Sequence, residues 1–162
     1  MNVLVVDDEP IAVASICQIL RDSALVGEVF TAASGQEMLE RCRSYPIDLI
    51  LLDIMMPSMD GLSALAEARR IDPDILGLIV SAHEDFFLAQ RAIRLGAVDY
   101  LLKPVSSQTL LAALERVVRH LAPKVPAGVD GSLPLPPPRP LPNGGPIGDA
   151  CAILAQKKRR HS

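Results

Sequence analysis

Tryptophan is absent from this chain of 162 residues, and three phenylalanines and two tyrosines are its only other large aromatics. Any core must therefore be built from aliphatic side chains. Long apolar runs are missing too. None approaches the ~18 residues that a bilayer-spanning helix needs, so no membrane span is expected. The N-terminal stretch MNVLVVDDEP has no basic region and turns acidic at once, which gives no expectation of a signal peptide. Cysteine is scarce and its number odd. Cys17, Cys42 and Cys151 are too widely spaced for a disulfide framework or a zinc site. The expectation is a reduced, cytoplasmic protein in which Cys17 and Cys42 fill core space.

The residues that are present divide the chain in two. Residues 1–121 carry 10 Lys and Arg against 17 Asp and Glu, a net −7; residues 122–162 carry 6 against 2, a net +4, and together these give the overall −3. The second part also holds nine of the 14 prolines and five of the ten glycines. Its stretch SLPLPPPRPLPNGGP excludes a helix or a central strand and suits a solvated, polyproline-like segment. Ala150–Gln156 is long enough for one or two helical turns, too few to be stable alone. The terminal KKRRHS reads as a solvated end, with nucleic-acid or membrane contact as the alternative. The expected organisation is one domain over 1–121 and a disordered linker with a basic tail over 122–162.

Within 1–121, short aliphatic or β-branched runs recur at Val3–Val6, Glu28–Thr31, Asp48–Leu52, Leu76–Val80 and Val98–Leu102. The middle ones are almost continuously apolar, as strands covered on both faces of a parallel sheet are. Each gap leaves room for one helix. Pro10 suits a first helical turn, followed by Ile11, Ile16, Ile19 and Leu20. Ser34-Gly35-Gln36-Glu37 has the form of a capping box. Gly61-Leu62 opens a third helix, Glu84–Leu95 forms a fourth ended by Gly96, and Ser106 or Ser107 caps a fifth with Leu110, Leu111, Leu114, Val117, Val118 and Leu121 on its apolar face. Right-handed crossovers turn this order into an open, doubly wound α/β sheet. The order of its strands does not follow from periodicity.

The polar residues fall at one edge of that frame. Asp7 and Asp8 follow the first strand, Asp53 the third, Ser81 the fourth and Lys103 the fifth. All lie at carboxyl ends of strands, where open α/β sheets bind ligands. Three converging carboxylates repel one another unless a cation joins them, and hard oxygen donors favour Mg²⁺. A divalent ion with a lysine on the other side suits phosphoryl transfer, and an aspartate beside them suits the nucleophile. Asp53, on the middle run, is the expected phosphoacceptor.

The segments VLVVDDEP, LILLDIMMPSMDG, LIVSAHE and VDYLLKP, in that order and spacing, resemble the response-regulator receiver domain of two-component signalling over about residues 2–121. The resemblance implies a flavodoxin-like (βα)5 fold with strand order 2-1-3-4-5, and a sensor histidine kinase as phosphoryl donor. It implies Asp53 as phosphoacceptor, with Mg²⁺ held by Asp8 directly, by Asp7 largely through water, by Asp53 and by the backbone carbonyl of Met55. Lys103 and Ser81 would contact the phosphoryl group, and the bond to Pro104 would be cis. Ser81 and Tyr100 match a switch pair whose movement remodels the face of the fourth helix, fifth strand and fifth helix, a face used for homodimerisation. The wording of SAHEDFFLAQRAIRLGAVDYLLKPV is similar to receivers whose output is an AraC-type helix-turn-helix domain.

Other readings stay beside these. Asp8 can cap a helix. Ser81 can do no more than cap the fourth helix, and Tyr100 no more than pack on the last strand. His83 and Met55 lie near the site mouth, where either side chain can tune water access or be a plain surface group. Phe86 and Phe87 are adjacent, so one is expected in the core and the other at an interface. A metal-dependent phosphatase with an aspartate nucleophile commonly has a second aspartate two residues on, where this chain has Met55. A degenerate binding module would have lost one of the charged residues present here. An AraC-type output needs roughly a hundred further residues, and the 41-residue tail carries no helix-turn-helix signal. A stand-alone receiver and a truncated DNA-binding regulator thus remain open, and direct DNA binding by this chain is not expected.

Overall fold

The computed structural model describes residues 1–57 and 59–121. The expected linker, the Ala150–Gln156 turn and the basic tail lie outside the described residues. Five strands alternate with five helices: β1 (Val3–Val6), α1 (Pro10–Asp22), β2 (Val29–Ala32), α2 (Gly35–Ser44), β3 (Leu49–Leu52), α3 (Gly61–Ile71), β4 (Leu76–Ser81), α4 (Phe86–Arg94), β5 (Ala97–Leu102) and α5 (Ser107–Leu121). The strands form one parallel sheet in the order β2-β1-β3-β4-β5. This is the doubly wound, flavodoxin-like arrangement. Between β3 and α3 the chain adds a feature that the sequence did not signal, an antiparallel ladder pairing Met55 with Asp60 and Met56 with Met59.

Period-two alternation explains how so apolar a sheet is covered. Leu4, Val6, Ile50, Leu52 and Ile79 face a layer containing Met38 of α2, Leu62, Leu65 and Ala68 of α3, and Ala92 of α4. Val3, Val5, Leu49, Leu51, Leu78, Val80 and Leu101 face Ile16, Cys17 and Leu20 of α1 and Leu110, Ala113, Leu114 and Val117 of α5. Three helices cover one face and two the other, and each fully buried leucine contributes about 1.5–3 kcal/mol. Cys17 and Cys42 are buried and form no disulfide, as the sequence suggested. Burial, and then Asp72, push the Cys42 thiol up to about 11.

Local capping sets the boundaries. Ser34 Oγ accepts from Glu37 N–H at 3.2 Å, and Glu37 Oε2 reaches back to Ala33 N–H at 3.0 Å, one residue earlier than the usual reciprocal bond. Ser106, not Ser107, caps α5, its Oγ accepting from Thr109 N–H at 3.1 Å. Helix α4 starts later than expected because Asp85 Oδ1 accepts from the N–H groups of both Phe87 and Leu88. Strand β2 is shifted by one residue, with Val3 opposite Val29. Gly96, at φ 87°, turns the chain from α4 into β5. The expectation that one of Phe86 and Phe87 enters the core is wrong. They are 70% and 79% exposed, ring against ring edge-on at 6.0 Å, because the core side of α4 is carried by Ala92 and Leu88.

Candidate functional site

The site begins where the ladders of the sheet end. Asp7 N–H donates to Ala32 O at 3.1 Å, Asp53 N–H to Val6 O at 2.9 Å and Lys103 N–H to Ser81 O at 2.8 Å. The parallel bonding pattern thus runs one residue past β1, β3 and β5. It sets the three side chains beside one another at the carboxyl edge, on a backbone that the sheet holds fixed.

There Lys103 Nζ donates to Asp7 Oδ2 at 2.6 Å and to Asp53 Oδ2 at 3.0 Å, with Glu9 Oε1 at 3.8 Å. Asp7 and Asp53 are buried, at 3% and 5% exposure, whereas Asp8 and Glu9 are exposed. The second oxygens of the buried pair are also used. Asp7 Oδ1 accepts from Glu9 N–H at 2.9 Å, and Asp53 Oδ1 accepts from Met55 N–H at 2.9 Å. Burial holds the Asp7 carboxyl above the usual carboxylate range, more than the Lys103 bond lowers it. Burial would pull the Lys103 ammonium down, but its bonds to Asp7 and Asp53 outweigh that and leave it raised.

Carboxylate oxygens of Asp7, Asp8, Glu9 and Asp53 all lie within 4.8 Å of one another. Four carboxylates facing one ammonium leave an excess of negative charge, and the donors are all hard oxygens. Such a set fits a divalent cation of the Mg²⁺ or Ca²⁺ kind. Glu9 was not singled out in the sequence. Its signal lies in its capping: it is the N-cap of α1 yet its side chain makes no capping bond, and it stands beside Lys103 instead.

The remaining candidates stand around this centre. Ser81 is fully buried at the end of β4, and its Oγ accepts from His83 N–H at 3.1 Å. Tyr100, half-buried on β5, does not reach the carboxylates; its hydroxyl donates to His83 O at 2.8 Å. The Met55 side chain is 54% exposed at the rim and the His83 side chain is exposed. The Lys103–Pro104 peptide bond is cis. Among the described residues no helix is long and apolar enough to cross a membrane.

Residues 3–115 match the family model described as the response regulator receiver domain. The chain is 38% identical over 123 residues to the transcriptional regulatory protein ZraR of Escherichia coli K12, covering 74% of this chain but 27% of that protein. It thus spans about a quarter of that relative's length. A Burkholderia pseudomallei response regulator, crystallised with a phosphorylated aspartic acid, calcium ion and citrate, is 29% identical with a TM-score of 0.62, over 70% of this chain and 65% of that one. A CheX-CheY-BeF3-Mg²⁺ complex from Borrelia burgdorferi contains a chain 31% identical to this one, with a TM-score of 0.67 over 72% of this chain and 88% of that one.

Proposed function

The chain belongs to the response-regulator receiver family of two-component signalling, a signalling domain with a phosphoacceptor role, and from that premise we propose that Asp53 is the residue that takes the phosphoryl group from a partner histidine kinase. One observation carries this reading: Asp53 is the buried carboxylate that shares Lys103 with Asp7 while Asp8 stands open beside them. In the transfer, an Asp53 carboxylate oxygen bonds to phosphorus as the phosphorus–nitrogen bond of a phosphohistidine breaks. The imidazole leaves with the electron pair and takes a proton from solvent.

Asp7, Asp8 and Asp53 would hold Mg²⁺, joined by the backbone carbonyl of Met55. The bound ion supplies positive charge against the phosphoryl oxygens. Lys103 supplies the second positive charge and must let go of a carboxylate to do so. The Met55 N–H keeps Asp53 Oδ1 in place during the reaction. The buried Ser81 hydroxyl would turn its proton to a phosphoryl oxygen, and Tyr100, already bonded to the β4–α4 loop, would follow that loop. Loss of the phosphoryl group to water closes the cycle, so the site turns over its own phosphate and no separate substrate.

The proposed output surface is the face of α4, β5 and α5. Phe86, Phe87, Ile93 and Leu102 stand 70%, 79%, 64% and 44% exposed there, an apolar surface suited to a second copy of the chain. Residues 1–121 form the folded unit of this scheme, and residues 122–162 a linker and tail. Binding DNA through this chain is not part of the scheme. The buried reduced thiols suit a cytoplasmic setting.

The test is labelling by acetyl phosphate with Mg²⁺. The wild type should gain a hydroxylamine-sensitive phosphoryl group, and Asp53→Asn should not. Equal labelling of the variant would refute the assignment. Sedimentation with a beryllofluoride mimic should show an increase in mass, and an unchanged mass would remove the dimer.

A further inference from the structure

Helix α4 packs against β5, and Leu88 joins Ala92 against the core layer. Ala92 is its only fully buried residue, while Phe86, Phe87 and Ile93 face solvent. Two arginines also tie it to the α3 segment. At its C-terminal end, Arg69 of α3 donates through Nη1 to Leu95 O at 3.0 Å, and through Nη2 to Pro73 O at 3.5 Å. Its guanidinium lies where a β-carbon at Gly96 would be, so the glycine provides both the turn and the space for this pin. In the last turn of the helix itself, Arg91 of α4 pairs with Asp60 Oδ2 at 3.1 Å.

Asp60 is not an isolated surface acid. It caps α3, its Oδ1 accepting from Leu62 N–H at 3.2 Å and its Oδ2 from Ser63 Oγ at 2.9 Å. It also pairs with Met55 in the two-residue ladder, and Met55 N–H is bonded to Asp53 Oδ1. A continuous line of contacts therefore leads from Asp53 through Met55 and Asp60 to Arg91 on α4. It shares no residue with Ser81, His83 or Tyr100.

We propose that the Asp60–Arg91 pair is a second route by which the state of Asp53 reaches α4, with the helix pivoting about the Arg69–Leu95 pin. This rests on the phosphoacceptor reading above. A phosphoryl group on Asp53 pulls on the carboxylate that the Met55 amide holds. The short ladder then passes that displacement to Asp60, and the ion pair passes it to the last turn of the helix, one turn before Leu95. Arg91 and Asp60 are positioning residues that touch no reacting atom.

The test is amide hydrogen exchange of α4, with and without beryllofluoride and Mg²⁺, in the full chain and in Arg91→Gln, Asp60→Asn and the double variant. Asparagine keeps the α3 cap and removes the charge. The ligand-dependent change in α4 exchange should fall about two- to fivefold in each single variant, the range an exposed ion pair supports. It should fall no further in the double variant. Arg69→Gln should instead raise α4 exchange in both states. Asp53 labelling by acetyl phosphate is measured in every sample and should stay at the wild-type rate in Arg91→Gln. A wild-type response of α4 in both single variants, with labelling intact, would overturn the route. Absence of labelling in the wild type would overturn the phosphoacceptor reading, and this inference with it.

Discussion

Replacing Asp7 by asparagine should stabilise the fold at neutral pH in the presence of a chelator. The Asp7 carboxylate is 3% exposed and shares Lys103 with a second buried carboxylate 3.0 Å from the same ammonium. Burial, the largest influence on it, holds its folded pKa above the ordinary value. A raised carboxyl pKa means that the folded state binds the proton more tightly than the unfolded chain does. Stability is therefore lost as pH climbs from the unfolded value, near ~3.9, through the raised folded value. Asparagine keeps the volume and can still accept from Glu9 N–H, and Lys103 keeps Asp53.

Against the relief stands the lost charged hydrogen bond from Lys103, typically ~1.5–3 kcal/mol. The raised pKa of Asp7 says that burial outweighs this bond, so the net change favours the variant. Lys103 carries the opposite sign: its raised folded pKa contributes stability that is complete below the unfolded value and is lost as pH rises through the folded one. Urea melts of both proteins in EDTA at pH 7 and at pH 4 measure the difference. The gain should shrink toward pH 4 and reverse when Mg²⁺ is added, since only the wild type gains the full ligand set. A variant less stable than the wild type at pH 7, or a difference that ignores pH, would refute the reasoning.

Two further outcomes follow from the packing, and a third from the composition of residues 122–162. Gly96→Ala should cost about 1–3 kcal/mol, because φ of 87° strains any side chain and the Arg69 guanidinium occupies the space; a neutral melt would contradict the pin described above. Leu65→Ala, at a fully buried position of α3 packed over Gly77, should cost about 2–5 kcal/mol in a urea melt. Removing residues 122–162 should leave both the melting transition and the acetyl-phosphate labelling rate near their full-chain values; a fall of several degrees would show that this segment belongs to the folded unit.

The alternation of aliphatic runs with capped helical segments was legible because a parallel sheet buried on both faces leaves no polar positions inside its strands. The edge that gathers Asp7, Asp8, Asp53, Ser81 and Lys103 was legible for the same reason, since the polar residues come where the runs stop. What the sequence did not show depends on distances across the fold. Glu9 reads as an ordinary residue before Pro10 until Lys103, from the far end of the domain, is placed beside it. The Met55–Asp60 ladder lies in a stretch too short and too methionine-rich to carry a strand pattern. Phe86 and Phe87 are apolar yet exposed, because α4 turns Ala92 and Leu88 to the core and these two rings away from it. The one-residue shift of β2 reflects Glu28, whose carbonyl bonds to Val3 N–H although it precedes the ladder.

The central claim is that Asp53 is the carboxylate that bonds to phosphorus. Borohydride reduction of the acetyl-phosphate-treated protein, followed by peptide mapping, locates that bond directly, because an aspartyl phosphate is reduced to homoserine where it stands. Homoserine at position 53, formed only with Mg²⁺ present, is the expected result. Homoserine at Asp7 or Asp8 with Asp53 unchanged would contradict the account.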